Sequence, residues 1–286
     1  MPGPTRGRAG ARPATRQRRS TVPVAPVKAA RVSKFARMMD VLDLFSGDVA
    51  LLTAEEVAAR MQISRPTAFR YVKELNAAGF LASYSGRYSL GARIITLDGR
   101  IRESDPLLKA AQAVMQQLTA ETACSSVLCR MYNDGVIHVH QQQGHDVTGA
   151  IVGRGRPLPL FRGAASKVML AWMPGARLRR LHQRHAHDPD LLAIAPDWPG
   201  FQQYFAEIRR RGYYLSNQEV NPNAVGIAAP IIAPDIGVVG ALSLVFSTER
   251  LAIINIDGFA ARVRAHAERI GAQLADLAGE RRADGA

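Results

Sequence analysis

Arg65, Thr67, Phe69 and Arg70 fall within one short stretch and have the chemistry to read nucleic-acid bases. A guanidinium can donate two hydrogen bonds to O6 and N7 of guanine, and an apolar ring can rest on a thymine methyl. Lys73, further along, suits a phosphate. A second cluster points elsewhere. His182, His185 and His187 stand at H-x2-H-x-H spacing beside Asp188, a donor set that a metal ion can use. Their setting, RLRRLHQRHAHD, reads instead as a solvated helix end, where protonatable groups complement the negative pole of the dipole. His138 and His140 alternate along one strand-like run and read as a packed or surface pair. Cys124 and Cys129 read as buried free thiols, which suits a reducing cytoplasm. No G-x-S-x-G, phosphate-loop or dinucleotide fingerprint is present, and VGRGRP (Val152–Pro157) lacks the strand–helix context of a phosphate loop. These residues predict a binding protein and not an enzyme, with no catalytic residue, metal or cofactor.

The elements that must position the base-reading residues are legible. Phe35, Met38, Leu42 and Phe45 predict a first helix over 34–45. Thr53 with Glu56 three residues later is a capping box that opens a second helix, and Gln62-Ile63 makes a turn. Ser64 caps a third helix, and Pro66 is tolerated in its first turn. Ala68, Tyr71, Val72 and Leu75 follow i, i+3, i+4, i+7, so they form the buried stripe. Arg65, Pro66, Thr67, Phe69, Arg70 and Lys73 are left on the outside. Gly79 stops the helix, and Ser85-Gly86 joins two strand-like runs with Arg87 at the tip. This order is a winged helix-turn-helix, which places one helix in the DNA major groove. Candidate DNA contacts are Thr53, Ser64, Arg65, Pro66, Thr67, Phe69, Arg70, Lys73 and Arg87. Two such helices about 34 Å apart read a palindrome, so a homodimer, or a dimer of dimers, on double-stranded operator DNA is expected.

Bulk charge supports this less than it first suggests. The formal net charge of the 286 residues is +13, yet eight basic residues and no acidic one lie in residues 1–33. The remaining 29 basic residues face 24 acidic ones, leaving +5. The tail cannot form a core and is expected to be disordered. It has no signal-like apolar stretch, and no run of about 18 apolar residues exists anywhere, so a cytoplasmic protein is expected.

The rest reads as a second unit. Leu107, Leu108, Ala111, Met115 and Leu118 form the stripe of a linker helix over about 104–123, capped by Ser104. Strand-like runs follow at 125–132 and 136–142 around Asn133-Asp134-Gly135, then at 147–153, 213–217, 225–232 and 237–246. Helices are expected at 164–172, 175–187 and 200–211. A last helix carries Phe259, Val263, Ala267, Ile270, Leu274 and Leu277 on one stripe. The reading is an α+β chain: a basic tail (1–33), a winged helix-turn-helix domain (34–100), a linker helix (101–123) and an α/β sensor domain with a concave pocket (124–280).

Four segments carry a family resemblance. ISRPTAFRYVKELNAAGFL followed by YSLG, PLPLFRGAASKVMLAWMP, RRRGYYLSNQEV and VGIAAPIIAPDIGVVGALSLVF resemble, in order and spacing, the IclR family of bacterial transcriptional regulators. Thr67 and Arg70 match the family's recognition helix, whereas Pro66 replaces a usual Ser. The resemblance implies a GAF-like effector domain and a linker helix joining it to a DNA-binding half that contributes to dimerisation. It also implies a pocket at Gly163, Ala164, Ser216, Gly226, Ser243 and Val245. Several acid-binding members carry Asp, Cys, Ser and Ser at the last four, and only Ser243 is retained. Fewer donors and more room predict an aromatic or partly apolar carboxylic acid, because an unpaired buried carboxylate is costly. The helix N-terminus near Gly163 can receive that carboxylate, with Arg162 beside it. A non-specific architectural DNA-binding protein is the alternative, and a small-molecule enzyme a more distant one. Activation or repression is not legible.

Overall fold

Ser33 accepts a hydrogen bond from the Ala36 amide and starts α1 (Lys34–Met39), but this helix runs only six residues. The helix predicted to reach Phe45 is interrupted. After Met39 the chain turns into a 3-10 segment at Leu42–Leu44, which brings Val41, off the predicted stripe, into full burial and leaves Phe35 66% exposed. The computed structural model from which this follows describes residues 33–133, 135–145, 153–234 and 236–283, so the basic tail lies outside it.

The capping box forms as read. The Glu56 amide donates to Thr53 Oγ1 at 3.2 Å and the Thr53 amide to Glu56 Oε2 at 2.7 Å, opening α2 (Ala54–Met61). Gln62, in the left-handed region, turns the chain toward α3 (Arg65–Ala77). Ala68, Tyr71, Val72 and Leu75 are its buried residues, packed with Val57, Ala58 and Leu81. Ser64 stands at the N-cap without capping: its hydroxyl bonds the Thr67 hydroxyl at 2.8 Å instead of a backbone amide. Gly79, at φ +78°, lets the Phe80 amide reach back to the Leu75 carbonyl at 2.9 Å and closes the helix. β1 (Leu81–Tyr84) and β2 (Arg87–Leu90) then pair antiparallel, with positive φ at both Ser85 and Gly86, the signature of a type I′ turn.

The connection to the second unit is two helices, not one. Ser104 does not cap; its hydroxyl donates to the Arg100 carbonyl at 2.8 Å inside α4 (Ala92–Ser104). Asp105 is the cap of α5 (Pro106–Thr122), accepting from the Leu107 amide at 3.0 Å. The predicted stripe of α5 is buried throughout, against its own chain's sheet and last helix.

That sheet has six strands in the order β5-β4-β3-β8-β7-β6, and every neighbouring pair is antiparallel. β3 (Ser125–Tyr132), β4 (Gly135–Gln142), β6 (Tyr214–Asn217), β7 (Ala224–Ala233) and β8 (Gly237–Ser247) lie close to their predicted positions. The strand predicted at 147–153 falls outside the described residues except for Gly153, which is not in a strand; β5 is Pro157–Leu158. Helices α6 (Ala164–Ala171), α7 (Gly175–Arg184) and α9 (Trp198–Arg211) match the expected pattern. Two short ones, α8 (Pro189–Ile194) and α10 (Thr248–Leu251), do not span enough turns for periodicity to reveal them.

Alternation along the strands separates two cores. Val225, Ile227, Leu242, Leu244 and Phe246 face α5 and α11 (Ile256–Ala283), whose Val263, Ala267, Ile270 and Leu274 are buried as predicted. Ala228 and Ala241 face α6 and α9. The α11 side is packed so closely that a Cβ on Gly271 would stand 2.3 Å from the Ile232 carbonyl oxygen. Alanine ordinarily favours a helix over glycine by about 1 kcal/mol. Here the rigid backbone contact decides the sign: Gly271→Ala is expected to destabilise by about 1–3 kcal/mol, read as a lower midpoint in denaturant unfolding.

Candidate nucleic-acid interface and ligand cavity

Because the core stripe occupies one side of α3, its other side is free. Arg65, Pro66, Phe69, Arg70 and Lys73 are exposed on it, and Thr67 is half-buried at the edge. Phe69 is 48% exposed, an apolar ring that contributes little to the core. Arg87 is exposed at the wing tip, directly across the hairpin from exposed Tyr84. Three candidates differ in kind. The Thr53 hydroxyl accepts from the Glu56 amide, and the Ser64 and Thr67 hydroxyls bond each other, so each has an intramolecular task first.

The second site lies where α6 meets the sheet. Ser216, Gly226 and Val245 form one row across β6, β7 and β8, and Ser243 follows beside Ala228 in the next row. All are small or slim, so the first turn of α6 does not close on them, and a cavity of about 80 Å³ remains. Its lining contains every pocket residue the sequence suggested: Gly163, Ala164, Ser216, Gly226, Ser243 and Val245. It also contains Leu158, Ala165 and the loop residues Val220 and Asn221, which sequence reasoning missed because irregular loops carry no periodicity. Gly163 adopts φ +87°, and a Cβ there would stand 2.6 Å from Val220 Cγ2, so this position requires glycine. Ser243 is 5% exposed, and its hydroxyl has no hydrogen-bond partner. A buried hydroxyl without a partner costs roughly 1–3 kcal/mol, a cost that a bound molecule can remove.

A polar cluster is bonded to Gly163, one of the lining residues. Glu219 accepts from the Gly163 amide at 2.9 Å and from the Tyr214 hydroxyl at 2.8 Å, and pairs with Lys167 Nζ at 2.8 Å. Tyr204 donates to the Tyr214 oxygen at 2.8 Å. Burial, then the bonds to Tyr204 and Glu219, push the Tyr214 pKa well up. The expectation that a ligand carboxylate is received at Gly163 is thus revised: the protein's own Glu219 takes that amide. The following residues of the first turn, Ala164 and Ala165, also line the cavity. Arg162 is turned away, paired with Asp190 at 2.8 Å.

The histidine cluster is a solvated helix end only in part: His187 is exposed beyond the end of α7, whereas His182 and His185 are half-buried. His182 packs edge-on against Trp198 and Phe201, with ring centres 5.5 and 4.9 Å away, and His185 packs against Phe161 at 5.5 Å. Burial holds the His185 pKa below its ordinary value. Among the described residues no group of three or more His, Cys, Asp or Glu is placed to hold a metal ion. His138 and His140 are both half-buried on β4. Cys124 and Cys129 are buried and in no disulfide among the described residues, and burial pushes the Cys129 thiol up. No described helix is long and apolar enough to cross a membrane.

A winged helix-turn-helix joined to an α/β sensor unit defines a class of ligand-responsive DNA-binding regulators. Residues 36–83 match the IclR helix-turn-helix domain, and residues 101–272 match the C-terminal domain described as bacterial transcriptional regulator IclR. The chain belongs to the IclR family of bacterial transcriptional regulators. It is 22% identical over 245 residues to the HTH-type transcriptional regulator KdgR of Escherichia coli, covering 85% of this chain and 93% of the relative. It is 24% identical over 229 residues to the p-hydroxybenzoate hydroxylase transcriptional activator of Acinetobacter baylyi, covering 77% and 83%. The solved structure of an IclR homolog from Microbacterium hydrocarbonoxydans, complexed with 4-hydroxybenzoate, has a TM-score of 0.69 at 23% identity, covering 85% of this chain and 99% of that one. The first two relatives are named as transcriptional regulators.

Two glycine substitutions separate space from conformation. Gly163→Ala is expected to cost about 1–3 kcal/mol, because it forces an alanine into glycine-only backbone space. Gly226→Ala places its Cβ 3.6 Å from that of Ala164, an ordinary contact. A thermal melt is expected to show a clear fall for the first, roughly 2–4 °C per kcal/mol, and little change for the second.

Proposed function

We propose that this protein is a homodimeric, sequence-specific DNA-binding regulator whose operator affinity is set by an aromatic or partly apolar carboxylic acid held between α6 and the sheet. The observation that carries the ligand reading is the largely apolar cavity whose lining includes Ser243, a residue with a buried, unpartnered hydroxyl. The first-turn amides of α6 supply an anion-binding end, because helix N-terminal N–H groups lack helical partners. The naming of one relative for p-hydroxybenzoate hydroxylase, and the 4-hydroxybenzoate in one solved neighbour, are consistent with this class. Residues 34–91 are read as the DNA-binding unit and the chain from 124 as the effector unit, with α4 and α5 as the link. Arg65, Pro66, Phe69 and Arg70 are the base-reading set. Lys73 and Arg87 serve the phosphate backbone or the minor groove, and Thr53, Ser64 and Thr67 shape the helix start. Ligand binding biases a two-state arrangement of the two recognition helices.

Two measurements test this. In a gel shift on a site selected from random DNA, Arg70→Ala is expected to lose about 1–3 kcal/mol of specific affinity and to relax one position. A uniform loss on all DNA would reassign Arg70 to phosphate. In a thermal-shift screen, 4-hydroxybenzoate and related aromatic acids are expected to stabilise the protein. Stabilisation by glyoxylate or pyruvate alone overturns the ligand class.

A further inference from the structure

Helix α4 stands between the two units and has no buried residue; Ile95 is 76% exposed and Ile101 48%. Its position on the effector unit is therefore not fixed by apolar packing within the chain. Its first turn is held firmly to the DNA-binding unit. Arg93 donates through Nη1 to the Ala78 carbonyl at 3.0 Å and through its amide to the Gly79 carbonyl at 3.2 Å, and its guanidinium lies over the Phe80 ring. Its far end abuts Asp105, a buried carboxylate that caps α5 and pairs with Arg130 of β3 at 3.1 Å. Between these ends Asp98 pairs with Arg154 of the effector unit at 2.7 Å and with Arg102 of its own helix at 2.8 Å.

Arg154 stands in a turn that leads into β5 and so to the cavity. Its Nη1 donates to the Val139 carbonyl. Gly155 and Arg156 bond the backbone of His138 at 2.8 and 3.1 Å, Pro157 and Leu158 pair with β4, and Leu158 lines the cavity. Pro159 then accepts from Ser166 Oγ in the first turn of α6 at 2.7 Å. From Arg154 the chain passes through a turn at Arg154 and Gly155, and backbone hydrogen bonds to β4 hold the segment to the sheet on the way to Leu158.

We propose that Asp98 and Arg154 are the positioning residues through which the effector cavity sets the angle of α4, and with it the placement of the recognition helix. The proposal deepens the ligand-controlled reading above and rests on it. Asp105 is the pivot. Asp98 lies about 10 Å along the helix from it and Ala92 about 20 Å, at 1.5 Å per residue. A shift of the Arg154 segment is therefore roughly doubled at the end that carries the DNA-binding unit. Two-fold operators demand a fixed separation of recognition helices, so such a shift weakens specific binding and leaves non-specific phosphate attraction intact.

The test is a double-mutant cycle on full-length protein: Asp98→Arg, Arg154→Asp and the reversed pair carrying both. Each is measured against a duplex that the wild type selects from random DNA, against scrambled duplex, and in a thermal melt with and without 4-hydroxybenzoate. The expected result is a five-fold or greater change in operator affinity for each single variant and a return to within two-fold for the reversed pair. Scrambled-duplex affinity and the 4-hydroxybenzoate shift stay at wild-type values throughout. Single variants that bind operator like the wild type overturn the proposal. So do single variants that weaken operator and scrambled duplex equally without rescue, which would mark the pair as a fold-stabilising contact. Absence of a 4-hydroxybenzoate shift in the wild type counts against the ligand class alone, because the operator cycle is read without ligand.

Discussion

The effector unit depends on an inequality between the two faces of its sheet. On one face Ile227, Leu242, Leu244 and Phe246 pack against α5 and α11, and α11 comes close enough to Ile232 that Gly271 must lack a side chain. On the other, Ser216, Gly226, Ala228 and Ser243 are too small to meet α6 along its whole length. Interiors otherwise pack to crystal-like density, so a patch of small residues under a helix is a place where volume has been withheld. The tight face anchors the sheet and the loose face leaves room for a guest.

The polar groups near that room are arranged with the same asymmetry. Lys167 and Glu219 form a pair whose remaining hydrogen-bonding capacity goes to Tyr214 and the Gly163 amide. Removing one member of such a pair costs far more than the pair contributes, because it strands a charge in a poor solvent. The pair therefore reads as fixed architecture, holding the start of α6 and the loop after β6 together. Ser243, which lines the cavity, has a buried hydroxyl without a hydrogen-bond partner.

The DNA-binding unit follows from simpler rules. A buried stripe on α3 leaves the opposite face to solvent, and the hairpin sets a basic residue at the wing tip. The two units have separate cores, and what joins them is a pair of helices of different character. α5 is built into the effector core, whereas α4 is fastened by ion pairs and backbone hydrogen bonds. Polar fastenings cost little to rearrange compared with a packed core, which suits an element proposed to take two positions.

Much of this was legible in the chain itself. The 3.6-residue spacing of Ala68, Tyr71, Val72 and Leu75 determined which face of α3 is outward, and Thr53 with Glu56 determined where α2 begins, because both are local consequences of helix geometry. The strands around Asn133 and Gly135 and the stripes of α5 and α11 were local in the same sense. The six cavity residues came from the resemblance, and their meeting in one cavity needed the sheet register that aligns Ser216, Gly226 and Val245. Tertiary structure alone decided the rest: that Val41 enters the core and cuts α1 short, that Ser104 ends a helix while Asp105 starts the next, that His182 packs among aromatic rings, and that Glu219 takes the Gly163 amide. Each of these is a competition between groups distant in sequence for one space or one hydrogen bond, and a periodicity records only which neighbours along the chain agree.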